Sequence, residues 1–192
     1  MTLSTTQAAE SLREIEKTGQ RSAAAYQYAK SSPHLILWGV IWFAGYLQTA
    51  LFMQGHGNLI GPVWLGLDVL GFAGTAVIGY RQDRGQTADS AARIQGRRFA
   101  GSFAIIVLFI LSAFAVIGHV SAVQQAAFWP LVVAMFYAIM GLWSGKRFLV
   151  TGLALTVLTL AGFFFLRDFF YDWMAVIGGG ALVLAGLWFR KV

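Results

Sequence analysis

Residues 63–74 read VWLGLDVLGFAG, apolar throughout except for Asp68. A carboxyl group in hydrocarbon is costly. Where one occurs it marks a place for a proton, a cation or a hydrogen bond between helices. No lysine or arginine stands at the same depth of the apolar segments. Without a cationic partner, burial favours the neutral form, so Asp68 is expected to act as a hydrogen-bond donor. Counting inward along the other segments finds polar groups at comparable depth: Tyr46 and Gln48, then Ser112, Tyr137, and Thr156 or Thr159. Together they form a candidate intramembrane polar site. Two roles are open to it, a proton- or cation-responsive centre or a clamp between helices.

The helical wheel gives the site a face. At about 100° per residue, Asp68 lies with Gly61, Trp64, Gly71, Phe72, Thr75 and Gly79. Gly71, Thr75 and Gly79 recur every fourth residue and make a seam on which a second helix can approach closely. Gly178, Ala181 and Ala185 make another near the C-terminus.

Other chemistry finds little support. The chain has no cysteine, which excludes disulfides, thiolate metal sites and cysteine nucleophiles. His34, His56 and His119 are widely separated, and with Asp168 and Asp172 they show no metal-ligand spacing. No histidine stands at mid-depth to activate a serine or threonine. No phosphate-binding glycine motif occurs. We expect no enzyme activity, no metal and no cofactor.

The elements that carry these residues follow from composition. Of 192 residues, 58% are hydrophobic and 11% charged. A soluble domain is about 25% charged, so this is an expected membrane protein. Segments of about 20 apolar residues must be helical to span a bilayer. Six qualify, at roughly 33–53, 59–80, 98–120, 127–144, 147–166 and 172–190. The fold class is all-α: a polytopic integral membrane protein whose six transmembrane helices form three antiparallel hairpins.

The net charge is +6, and the basic residues lie between the segments. In a six-span arrangement, 13 of the 14 lysines and arginines fall on one side and only Arg167 on the other. That bias puts both termini in the cytoplasm, and we expect a bacterial inner membrane. Arg81, Arg84, Arg93, Arg97 and Arg98 cluster in the 81–98 connection, as a contact for anionic lipid or a protein partner. No aromatic platform interleaves them, which argues against nucleic acid. Trp64, Trp129, Trp173, Trp143 and Trp188 fall near segment ends as an interfacial belt. The similarity of RRFAG (97–101) to KRFLVTG (146–152), and of MGLWSGKR (140–147) to AGLWFRK (185–191), is read as the same anchoring physics; the other reading is a duplicated hairpin.

Residues 1–32 form a separate cytoplasmic region. Positions 6–29 read as an amphipathic helix with a thin stripe of Ala8, Leu12, Ile15, Ala23 and Tyr26. Pro33, after Ser31 and Ser32, reads as the first helical position of the 33–192 bundle. A stripe this thin does not stabilise a helix alone, so residues 6–29 need the bilayer surface or a cytoplasmic protein. The expected function is a small regulatory or accessory membrane protein. The alternative is a small transporter, or transport subunit, centred on Asp68.

Overall fold

The computed structural model describes residues 5–84 and 90–191; within them, side chains are described except at 5–9, 90–96, 98–100 and 103. The described chain is helical, with no strand. α1 runs Thr5–Phe52, α2 Gly57–Asp83, α3 Ser90–Ile117, α4 Ala122–Ser144 and α5 Lys146–Phe165. A 3-10 turn at Arg167–Phe169 leads into α6 (Phe170–Trp173), a π-helical stretch (Met174–Gly179) and α7 (Gly180–Arg190), which continue one another. Five helices are long and apolar enough to cross a membrane, and α3 holds a shorter apolar stretch, Ala104–Ile117.

The largest departure from expectation is α1. It does not break at Pro33 but runs through it for 48 residues, about 72 Å. The reason is local. Ser32 does not cap a new helix; its Oγ donates to Gly186 O at 2.7 Å. Pro33 removes one intrahelical hydrogen bond, and the packed helix on either side tolerates the loss. An established span also serves as the nucleus from which the polar N-terminal turns propagate.

The core lies where α1, α4, α5 and the last span meet, around Leu35, Phe148, Phe170, Met174, Leu182 and Phe189. Glycines set two close crossings. A Cβ on Gly39 would strike Gly179 O and Val183, and one on Gly186 would strike Ser32 O, so α1 lies backbone to backbone on the last span. A Cβ on Gly152 would strike the α4 backbone at Ala134 and Ala138. The α4–α5 turn needs Gly145, at φ 123°, a conformation L side chains avoid. α4 begins earlier than its expected span because Ser121 and Gln124 form a capping box: Ser121 N–H donates to Gln124 Oε1 (2.8 Å) and Gln124 N–H to Ser121 Oγ (3.3 Å).

α2 packs on α1. α3 packs loosely. Among its described side chains Ile110 is buried, and Phe114 meets Phe128 of α4 at a centroid distance of 4.9 Å. The 81–98 connection is shorter than expected, because α2 extends to Asp83 and α3 begins at Ser90. Arg93, Arg97 and Arg98 therefore lie on α3 itself.

Candidate functional site

Proline creates the first requirement inside the apolar region. Pro130, buried within α4, has no N–H to give to the carbonyl four residues back, Ala126 O. Tyr46 of α1 supplies the donor, its hydroxyl reaching Ala126 O at 2.7 Å. The buried Tyr46 ring lies edge-on to Trp64 (5.3 Å) and Trp42 (6.1 Å). Trp64 Nε1 donates to Thr49 Oγ1 (2.9 Å), as does Gln48 Nε2 (3.1 Å), while Thr49 donates to Gly45 O (2.8 Å). The Thr49 hydroxyl thus uses its one proton within its own helix and accepts twice, so it is committed to packing. Gln48 Oε1 is buried with no partner among the described residues.

Tyr46 and Gln48 are thereby brought together, with Thr49 and Trp64. The other expected members make no hydrogen bond to this cluster among the described residues. Thr159 is fully buried and donates to Leu155 O of its own helix (2.8 Å). Tyr137 stacks on Phe148, with centroids 6.2 Å apart and planes at 13°. Ser112 is exposed and donates to Leu108 O (2.8 Å).

Asp68 sits at the edge of the α1–α2 seam. Asp68, Thr75 and Gln82 recur every seventh residue along one side of α2. The last two reach α1: Thr75 Oγ1 accepts from Trp38 Nε1 (3.1 Å), and Gln82 Nε2 donates to Lys30 O (2.9 Å). Asp68 is half-buried, and no hydrogen bond or ion pair reaches its carboxyl among the described residues. Of the seam expected beside it, Gly71 lies under the Trp38 ring and Thr75 takes the Trp38 bond, while Gly79 faces open space and Gly74 packs on Leu37. In the last span Gly178 and Ala185 are buried and Ala181 half-buried, but the backbone contacts with α1 come from Gly179 and Gly186.

The root of the N-terminal half of α1 is a second constellation, one the sequence reading missed. Tyr28 is buried between Phe148 (5.4 Å) and Phe189 (5.0 Å), and its hydroxyl accepts from Arg147 N–H (3.2 Å). The Arg147 guanidinium donates to Trp188 O (2.6 Å) and Lys191 O (3.0 Å), capping α7, and lies over the Tyr28 and Trp188 rings at 5.1 and 5.0 Å. These contacts tie α1, α5 and α7 together where α1 leaves the core. Lys30 and Asp83 pair at 3.3 Å on the α2 side. Beyond that root α1 is bare: residues 10–23 are all exposed, with Leu12 at 67% and Ile15 at 68%.

Of the arginine cluster, Arg81, Arg84 and Arg97 are exposed, and Arg84 lies 5.5 Å from the Tyr80 ring centroid. The side chains of Arg93 and Arg98 lie outside the described residues. No group of three or more histidine, aspartate or glutamate residues converges among the described residues. No family model matches the chain, and neither a curated protein nor a solved structure matches it.

Proposed function

We propose that this protein is a small regulatory or accessory protein of the bacterial inner membrane, with six spans and both termini cytoplasmic, that holds a cytoplasmic partner on the N-terminal half of α1. The observation that carries this reading is the continuity of α1. A helix lying flat on the bilayer has to turn at the membrane surface; α1 instead continues out of its own span, from a root fixed by Tyr28 and Arg147. Its Leu12 and Ile15 stripe therefore points into water and has a protein as its natural cover. Glu10, Glu14 and Glu16 balance Arg13, Lys17 and Arg21, so the segment offers specific ion pairs and no general pull towards anionic lipid. The exposed Arg81, Arg84 and Arg97 extend the contact surface at the membrane.

Photo-crosslinking in native membranes tests this. A benzophenone side chain at Leu12 or Ile15 should capture a discrete protein, and one at Gln20 or Arg21, off the stripe, should capture much less. Capture of phospholipid alone at Leu12 and Ile15 would overturn the reading.

A second reading has one observation in its favour, the half-buried carboxyl of Asp68, which has no hydrogen-bond or ion-pair partner among the described residues. It makes the protein a small transporter with Asp68 as a proton- or cation-responsive site. Asp68→Asn keeps the shape and removes the titrating group. On this reading, any pH-dependent transport by reconstituted protein is lost on that substitution; transport with an unaltered pH profile would rule Asp68 out as the site.

A further inference from the structure

The crossing of α5 and α7 leaves a groove of about 310 Å³ on the bilayer-facing side of the core. Its floor is buried, with Leu155, Leu182 and Ala185 beside Thr151, and the small Ala154 and Ala181 line its open side. Trp188 closes the end nearer the chain terminus, and both helices end there in basic residues: Lys146 and Arg147 open α5, Arg190 ends α7 and Lys191 follows it. Neither α5 nor α7 contains an acid. The one ion pair among the described residues, Lys30–Asp83, uses none of these four cations. Arg147 is spent on the Trp188 and Lys191 carbonyls, which caps α7 and leaves Lys146 and Lys191 exposed on the groove side, while Arg190 lies on the α1 side of α7.

We propose that this groove binds an anionic phospholipid, with an acyl chain along Ala154, Ala181 and Ala185 and the phosphate between Lys146 and Lys191. The inference rests on the reading that α5 and the last span cross a bilayer, and it is independent of any partner on α1. Charge selects the ligand. A zwitterionic lipid fills the apolar groove equally well, but only an anionic one also matches two free cations with no acid on either helix.

The test is lipid retention by the full-length protein in detergent, read by native mass spectrometry after adding phosphatidylglycerol or phosphatidylcholine. Wild type should retain phosphatidylglycerol in preference. Each basic residue near a charged surface is worth about a fivefold change in affinity, so Lys146→Ala with Lys191→Ala should weaken retention by roughly 30-fold. Ala181→Leu fills the groove without touching charge and should also abolish the preference. If that variant melts early, Ala154→Leu, at an exposed position, replaces it. Equal retention of the two lipids overturns the proposal. So does a preference that survives both groove-filling variants, or one that falls equally in an Arg81→Ala, Arg84→Ala control, since either result means diffuse surface attraction. Alkaline carbonate extraction separates the two failures: release of the protein refutes the spanning reading, and retention without lipid preference refutes only the groove.

Discussion

A single proline governs the best-defined polar contact in the apolar region. Pro130 strips Ala126 O of its intrahelical donor, and in hydrocarbon no water can replace it. Tyr46 does so at 2.7 Å. The dependence is testable by a double-mutant cycle. Tyr46→Phe should cost about 1–3 kcal/mol, the usual penalty for orphaning a buried acceptor. In a Pro130→Ala background residue 130 regains its N–H, and the same change should cost a small fraction of that. Equal costs in the two backgrounds, measured by reversible unfolding in mixed micelles, would disprove the link. The residues involved were half legible. Asp68, Tyr46 and Gln48 stand out as polar groups in apolar runs. Tyr46's partner does not, because a backbone carbonyl carries no letter. Pro130 becomes a signal only once α4 is known to start at Ala122, which puts Ala126 inside the helix and leaves its carbonyl for another helix to serve. Trp64 was readable only as an interfacial anchor; its bond to Thr49 depends on which helices adjoin.

Among the elements, spans were easier to read than joins. Apolar length alone specifies both ends of α2 and α5 and the C-terminal end of α4 to within three residues, because a bilayer imposes both helix and minimum length. The join at residues 31–34 was misread because a serine that caps a helix and one that bonds a neighbouring helix are the same letter. Ser32 takes the second role only because Gly186 lets the last span come close. That closeness makes a prediction about glycines. Gly152→Ala places a methyl group inside the α4 backbone and should destabilise by about 1–3 kcal/mol through overpacking. Gly66→Ala, on the open side of α2, meets nothing and should be neutral or gain up to about 1 kcal/mol from helix propensity. Thermal melts of the two variants in one detergent make the comparison. A Gly152→Ala protein as stable as Gly66→Ala would mean that α4 and α5 do not cross at this point.

At the scale of the whole molecule, the open question is how often the chain crosses the bilayer, and it turns on α3. Five helices meet the length and hydropathy requirement outright, and α3 contributes the shorter Ala104–Ile117 stretch. At 28 residues α3 is about 42 Å long, more than the roughly 30 Å of a hydrocarbon core, so length does not prevent it from spanning. Charge supplies the decisive argument. If α3 crosses, Lys146, Arg147, Arg190 and Lys191 lie on the same side as Arg81 and Arg84. If it lies along the surface, every later loop changes sides and those four bases face outward, against the positive-inside bias. The absence of native cysteine makes the experiment clean, because any introduced thiol is the only one. In spheroplasts, a membrane-impermeant maleimide should label Asn58→Cys, Ser121→Cys and Asp168→Cys directly. It should reach Ser11→Cys, Ser144→Cys and Lys191→Cys only after permeabilisation. Labelling of Ser144→Cys in intact spheroplasts, with Asp168→Cys protected, would remove α3 from the set of spans. It would also carry the basic mouth of the α5–α7 groove to the outer leaflet, while the N-terminal half of α1 stayed in the cytoplasm.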